Sequence, residues 1–121
     1  MGYWARRLRS FGFAVQGLRL LLTTQPHARI HVLASVVVVL AGFYFQVTRL
    51  EWVALLLAMA MVWVAEALNT GIELAVDLAS PEWHALAGKA KDVAAAGVLL
   101  ASFAAFLIGM LIFLPKLTNT V

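Results

Sequence analysis

The chain has 121 residues, of which 64% are hydrophobic and 12% are charged, with a formal net charge of +3 and a mean hydropathy of +0.94. A soluble domain is only about half apolar, so this composition predicts a single integral-membrane domain over residues 1–121. Cysteine is absent, which excludes disulfides and thiolate metal sites. The basic residues adjoin apolar segments, a pattern that favours anionic lipid headgroups over nucleic acid as their partner.

The first segment is predicted to form an amphipathic helix over about residues 4–24, lying on the membrane surface. Its apolar residues recur at spacings of three and four, whereas Arg6 and Arg9 lie away from them. The apolar stripe comprises Leu8, Phe11, Val15, Leu18 and Leu22. A plain basic anchor without further function is an alternative interpretation of the same pattern.

Three membrane spans are predicted after the break at Gln25 and Pro26. They cover about residues 30–47, 52–79 and 93–114. At 1.5 Å per residue, the second helix is longer than a hydrocarbon core of about 30 Å, so its C-terminal part is expected to emerge into the headgroup region. Residues 80–92 are predicted to be a polar connector.

Four polar side chains form one stripe along the second span. At about 100° per residue they fall within roughly 80° of one another, while the other faces of the helix are apolar. They are Glu66, Asn69, Glu73 and Asp77. A buried carboxylate in a membrane is costly unless it is paired, hydrated or bound to a cation, so the stripe predicts a functional site. Interhelical hydrogen bonding by Asn69 and a solvated or ion-paired Asp77 are the structural alternatives.

The distribution of positive charge predicts the orientation. Arginine and lysine are concentrated before the first span and in the connector 80–92, so both regions are expected to be cytoplasmic. The acidic stripe would then open to the cytoplasm. Because three helices make a thin bundle that shelters such groups poorly, a homo-oligomer is expected.

Carboxylates at a membrane boundary, with basic residues on the same side, suit a complex of magnesium and phosphate. In this interpretation Glu73 holds the metal, Lys91 neutralises phosphate and Glu66 serves as base to a lipid hydroxyl. The stretch Gly88-Lys89-Ala90 lacks the spacing and hydroxyl of a Walker loop, so a nucleotide site must have another design.

Two other functions fit an acidic stripe. One is a small oligomeric ion or proton pathway, which is disfavoured because residues 52–65 of the second span carry no acid. The other is a structural membrane subunit in which the polar residues are individually replaceable.

The string from Glu66 to Asp77, EALNTGIELAVD, resembles the signature of the small prokaryotic integral-membrane lipid kinases, the diacylglycerol kinase and undecaprenol kinase family. Agreement also extends over Glu82-Trp83-His84, Ala90 to Ala96, Gly17 to Arg19 and Arg29 to His31, and so over nearly the whole chain. The resemblance implies trimers of three-span subunits with an N-terminal surface helix, ATP as the phosphate donor and Mg²⁺ as the metal.

The resemblance also implies roles for individual residues. Glu66 would be the catalytic base and Glu73 a ligand of the magnesium bound to ATP, with Asn69 and Asp77 completing the polar site. The nucleotide would be contacted by Arg6, Phe13, Gln25, Glu73, Glu82, Trp83, His84, Lys91 and Asp92. The lipid substrate would be contacted by His27, Arg29, His31, Tyr44 and Trp52.

Two positions depart from the family pattern. Phe13 stands where many members have an aromatic hydroxyl residue, and it offers the adenine only its ring face. Gln25 stands where a second acidic metal ligand is usual, and its amide oxygen is a weaker ligand.

Four segments look more like the undecaprenol kinase branch: Arg29 to His31, Gly42 to Phe45, Arg49 to Trp52 and Leu111 to Pro115. The resemblance therefore implies undecaprenol as the acceptor, with diacylglycerol as the alternative, and a multi-pass protein of the bacterial inner membrane.

Overall fold

The structure, a computed structural model, describes residues 1–118, and these form four α-helices and no strand. The helices are α1 (Tyr3–Thr24), α2 (Pro26–Tyr44), α3 (Arg49–Ala79) and α4 (Ala85–Leu117). By length and composition, the last three could each cross a membrane. The prediction of an all-α membrane protein with three spans and a preceding helix is confirmed.

Helix α1 exposes the apolar stripe predicted from its sequence. Leu8, Phe11, Val15 and Leu18 are exposed and Leu22 is half-buried, whereas Leu21, on another face, is buried. The exposed stripe gives α1 an apolar face without a protein partner within the described chain, as a helix on a membrane surface requires.

Helices α1 and α2 are separated by Gln25 alone. Gln25 has an extended backbone, with φ −107° and ψ 111°, because the following Pro26 disfavours the helical conformation in the residue before it. Pro26 itself occupies the first position of α2, where a backbone N–H would have no acceptor within the helix, so its absence costs no hydrogen bond.

The first helix of the membrane region ends earlier than its predicted span. Helix α2 ends at Tyr44 rather than at residue 47, because Gln46 adopts a left-handed conformation with φ 51°. The N–H groups of Phe45 and Val47 turn back to the carbonyls of Ala41 at 2.9 Å and Gly42 at 3.1 Å, and so satisfy the end of the helix.

Helix α3 starts with a capping box. The Thr48 side chain accepts the N–H of Glu51 at 3.2 Å, and the Glu51 carboxylate accepts the N–H of Thr48 at 3.0 Å. The helix then runs for 31 residues, or about 46 Å. It packs mainly along α4, with less contact to α2 and α1. The buried apolar residues of these two helices are Leu55, Ala58, Val62 and Ala101.

The second connector is shorter than predicted. Residues 88–92 are helical rather than part of a loop, because α4 starts at Ala85 after His84 has capped it. Nδ1 of His84 accepts the N–H of Leu86 at 3.0 Å. The loop is therefore confined to residues 80–84, and Lys91 and Asp92 are held on a helix.

Helix α4 also extends beyond the predicted end of its span at residue 114. Pro115 lies in its last turn, where a proline removes one backbone hydrogen bond, and the helix ends at Leu117. The neighbouring Lys116 lies 3.2 Å from the Glu51 carboxylate. This ion pair joins the end of α4 to the start of α3.

Helices α2 and α3 approach closely at Gly42. A Cβ atom at this position would lie 2.8 Å from Cζ2 of Trp52, inside contact distance. The Trp52 ring also packs against Phe43, with ring centroids 5.0 Å apart. The absence of a side chain at Gly42 therefore makes room for the indole.

Candidate functional site

The polar stripe on α3 runs from the protein interior to its surface. Glu66 is 2% exposed and Asn69 is 9% exposed. Glu73, two turns after Glu66, is half-buried, and the side chain of Asp77 is 62% exposed. The stripe therefore combines one sheltered carboxylate with two that solvent reaches.

The sheltered carboxylate of Glu66 faces helix α2. Its Oε2 atom lies 3.4 Å from Nε2 of His31, and the two side chains are 3% and 18% exposed. Within residues 1–118, Glu66 has no other hydrogen bond or ion pair. His31 thus gives this buried group its polar partner.

Asn69 and Glu73 form the middle of the stripe. Nδ2 of Asn69 donates to Oε1 of Glu73 at 3.3 Å, which fixes the amide so that its oxygen points away from Glu73. That oxygen is buried, and no partner for it exists among residues 1–118; the same holds for the Thr70 hydroxyl. A buried polar atom without a partner is costly, so these atoms indicate a missing ligand or neighbour.

This donor set suits a magnesium ion that arrives with phosphate. No three carboxylate or imidazole groups meet anywhere in the described chain, so a metal held by the protein alone does not fit. Magnesium is usually held by one or two carboxylates together with substrate phosphates. The Glu73 carboxylate provides a hard oxygen ligand of that kind, whereas the Asn69 oxygen points away from it.

Lys91 and Asp77 meet at the exposed end of the stripe. Nζ of Lys91 lies 2.5 Å from Oδ1 of Asp77. Lys91 precedes the apolar part of α4, and its hydrogen bond to Asp77 raises the pKa of the amine. The lysine is therefore a positive charge held at Asp77, which lies one helical turn after Glu73, and such a charge suits phosphate binding. Asp92, its neighbour, is exposed.

The loop residues predicted to bind nucleotide, Glu82 to His84, follow shortly after Asp77 in the sequence. Glu82 and Trp83 are exposed, Trp83 by 89%. Ser80 donates to the Glu82 carbonyl at 3.0 Å, which shapes the turn. One nitrogen of His84 is already engaged in capping α4, so only its other nitrogen is available to a ligand.

Helix α1 passes the stripe at the level of residues 67–74. A groove of about 500 Å³ lies between the two helices. It is lined by Ala14, Gly17, Leu18, Leu20 and Leu21 of α1 and by Ala67, Thr70, Gly71 and Leu74 of α3. Arg6 and Phe13 are exposed on α1. The side chain of Gln25 is half-buried and makes no hydrogen bond within residues 1–118.

The structure separates the residues predicted to contact lipid into two groups. His27, Arg29 and His31 lie at the start of α2, whereas Tyr44 and Trp52 lie about 25 Å away at its other end. The Arg29 guanidinium donates to the carbonyls of Leu22 and Thr23, at 3.4 and 3.1 Å. Within this chain, the Arg29 side chain therefore binds the C-terminal end of α1.

Comparison with known proteins decides the family. Residues 12–113 match the model of the prokaryotic diacylglycerol kinase family. This chain belongs to that family.

Three curated relatives support the assignment. The undecaprenol kinase of Bacillus subtilis (strain 168) is 37% identical over 112 residues, which is 93% of this chain and 91% of that protein. The diacylglycerol kinase of Synechocystis sp. is 38% identical, covering 93% of this chain and 65% of that protein. The diacylglycerol kinase of Escherichia coli (strain K12) is 31% identical over 81% of this chain and 80% of that protein. The chain is therefore a membrane lipid kinase, as its sequence predicts.

Sequence reasoning did not find the cavity of this lipid kinase. A space of about 400 Å³ lies between α2, α3 and α4 and is lined almost entirely by apolar atoms. Its polar end is formed by His31, Ser35 and Trp63, where Nε1 of Trp63 donates to Ser35 at 3.1 Å. The deeper walls include Val38, Met59, Phe106, Met110 and Phe113. The spacing of Ser35 four residues after His31 was the available signal.

Proposed function

We propose that this lipid kinase transfers the γ-phosphoryl group of ATP, bound with Mg²⁺, to the hydroxyl of undecaprenol. One observation carries the proposal: the stripe from Glu66 to Asp77 begins at a buried carboxylate and ends at an exposed pair with Lys91. A lipid hydroxyl and a water-soluble donor must meet in any such transfer. This arrangement offers the sheltered end to the first and the exposed end to the second.

Glu66 is the proposed catalytic base. The oxygen of the lipid hydroxyl attacks the γ-phosphorus, the bond from that phosphorus to the β–γ bridging oxygen breaks, and ADP leaves. The hydroxyl proton passes to the Glu66 carboxylate. Because Glu66 is only 2% exposed, water has little access to the base, which limits transfer of the phosphoryl group to water.

Glu73 is the proposed protein ligand of Mg²⁺, with the amide oxygen of Gln25 as a second ligand. When bound, the metal neutralises charge on the phosphates of ATP. Glu73 is held by Asn69 at 3.3 Å. The hydrogen bond fixes the carboxylate before the metal and nucleotide arrive.

The remaining nucleotide contacts are proposed from the family resemblance and from their exposure. Lys91 supplies positive charge to the phosphates, and Phe13 offers a ring face to the adenine. The other proposed contacts are Arg6, Glu82, Trp83, His84 and Asp92, all exposed in the described chain.

Undecaprenol is preferred as acceptor because the Bacillus subtilis relative, named undecaprenol kinase, matches along 91% of its own length. Diacylglycerol is the second candidate, since the Synechocystis relative of that name is 38% identical. Membership in a kinase family weighs against the ion-pathway and structural-subunit alternatives.

We also propose that the enzyme is a homotrimer in the bacterial inner membrane, with the N-terminus and the loop 80–84 cytoplasmic. The buried, unpartnered atoms of Asn69 and Thr70 support an assembly in which a neighbouring subunit or substrate completes the site. The charge distribution in the sequence supports the orientation.

The proposal is tested by assaying the purified protein with ATP and Mg²⁺ against undecaprenol and diacylglycerol side by side in lipid micelles. We expect phosphorylated undecaprenol as the main product, and a loss of at least about 100-fold in kcat for Glu66→Gln. Thermal unfolding of the variant should show a folded protein. Transfer to diacylglycerol alone would overturn the acceptor, and full activity of Glu66→Gln would overturn the base.

A further inference from the structure

The contact between His31 and Glu66 joins the first membrane helix to the proposed base. Nε2 of the imidazole and Oε2 of the carboxylate are 3.4 Å apart, in a place where the carboxylate side chain is 3% exposed. Glutamate has three rotatable side-chain bonds, and a carboxylate without a partner would sample several positions. The contact with His31 favours one of these positions.

The imidazole is itself held in place. Its ring meets the edge of Trp63, with centroids 6.1 Å apart and planes at 67°. Trp63 in turn donates from Nε1 to Ser35 at 3.1 Å, so that this indole is tied back to the helix that carries His31. The direction of the imidazole is therefore set by both α2 and α3.

His31 also lines the apolar cavity of about 400 Å³, whereas Glu66 is not part of its lining. A lipid chain in this cavity would bring its polar end to the imidazole. The histidine thus contacts both the space suited to hydrocarbon and the carboxylate proposed to take the hydroxyl proton.

From these contacts we propose that His31 is a positioning residue, which holds the Glu66 carboxylate in line with the hydroxyl of a lipid alcohol whose chain lies in the cavity. The inference rests on the proposed function of Glu66. A displacement of a reacting group by about 1 Å costs on the order of 100-fold in rate, so this contact has a measurable role in turnover.

Three substitutions of His31 separate the effects of its N–H donor, its side-chain bulk and its side-chain length. His31→Gln keeps an N–H donor at about the distance of Nε2, His31→Asn carries the same amide one carbon shorter, and His31→Leu keeps apolar bulk without a donor. We expect His31→Leu and His31→Asn to lower kcat for the lipid roughly 10- to 100-fold with the KM for ATP unchanged. His31→Gln should recover most of the lost kcat.

A second arm uses the Glu66→Gln background. If His31 acts through Glu66, His31→Leu should cause no further loss there, whereas a purely structural role would lower activity in both backgrounds. Thermal unfolding identifies any variant that does not fold; should His31→Leu fail, the comparison of His31→Gln with His31→Asn decides.

The outcomes distinguish this inference from the function on which it rests. Wild-type protein that phosphorylates neither lipid overturns the proposed function and the inference with it. Active wild-type protein whose kcat is unchanged in His31→Leu, or equal in His31→Gln and His31→Asn, overturns the positioning role alone.

Discussion

Lys91 on α4 lies 2.5 Å from Asp77 on α3, an ion pair that closes the helical hairpin across the loop 80–84. Both side chains are substantially exposed, by 40% and 62%. Exposed pairs contribute little to stability. The pair is therefore better placed to orient the Lys91 ammonium beside Glu73 than to hold the fold together.

Asp77→Asn should consequently alter nucleotide binding more than stability. Without its partner the lysine samples more positions, so we expect the KM for ATP to rise severalfold while the thermal unfolding temperature changes little. Lys91→Ala should raise the KM for ATP further, since the positive charge itself is lost. Steady-state kinetics at saturating lipid measure both effects. An unchanged KM in Lys91→Ala would show that this amine does not contact the phosphates.

Removal of the proposed metal ligand should appear in the magnesium requirement. Loss of interactions around a protein-bound metal commonly lowers its affinity by 10- to 100-fold, so Glu73→Gln should raise the Mg²⁺ concentration for half-maximal activity by roughly 10-fold or more. The measurement is a magnesium titration at constant free ATP.

Gln25→Glu tests the opposite change, the addition of a carboxylate, at the position where this chain has an amide instead of the acidic metal ligand usual in the family. The Gln25 side chain makes no hydrogen bond within the described residues, so the substitution breaks none there. If Gln25 occupies a metal position, the added carboxylate should lower the magnesium requirement. An identical titration curve for Gln25→Glu and wild type would show that Gln25 does not bind the metal.

The close approach at Gly42 should make this position intolerant of a side chain. In Gly42→Ala the new methyl group would lie inside contact distance of the Trp52 ring. Overpacking of this kind destabilises by about 1–3 kcal/mol. Unfolding in detergent micelles should show the loss.

Gly12→Ala is the matched control, because no atom lies within 4 Å of the added Cβ on the exposed helix α1. Alanine is the better helix former there, so a neutral or slightly stabilising result is expected. Equal effects at the two glycines would contradict the packing of Trp52 on Gly42.

The two roles assigned to His84 are separable by substitution. Its Nδ1 atom caps α4 by accepting from Leu86 at 3.0 Å. His84→Asn retains a capping acceptor, whereas His84→Ala removes it, and the loss of a cap costs about 1 kcal/mol. If His84 also contacts nucleotide, both variants should weaken ATP binding while only His84→Ala loses stability. Normal ATP affinity in His84→Asn would show that His84 caps α4 and does not contact the nucleotide.

Several features of this protein were readable from residue spacing. The break at Pro26 depends on a missing N–H and a fixed φ, which are local properties of proline. The stripe from Glu66 to Asp77 follows from the helical period. Thr48 and Glu51 carry the spacing of a capping box, a signal that was present in the sequence and went unused.

Two helix boundaries differ from the prediction because residue type and charge alone do not specify the backbone conformation that sets them. The polar residues 80–92 predicted a connector, but the His84 cap starts α4 at Ala85, so Lys89 and Lys91 are helical. The span predicted to reach residue 47 stops at Tyr44, because Gln46 takes a left-handed conformation that the residue type alone does not specify.

By itself the sequence determined that this is a membrane protein of helices with a one-sided set of acids, because helical periodicity and apolar length are properties of neighbouring residues. Only the tertiary structure decided which acid is sheltered and by what. The contact of Glu66 with His31 and the hydrogen bond from Trp63 to Ser35 each join residues at least 28 positions apart, and the apolar cavity beside them lies between three helices. Such contacts depend on how the helices pack, which no local pattern encodes.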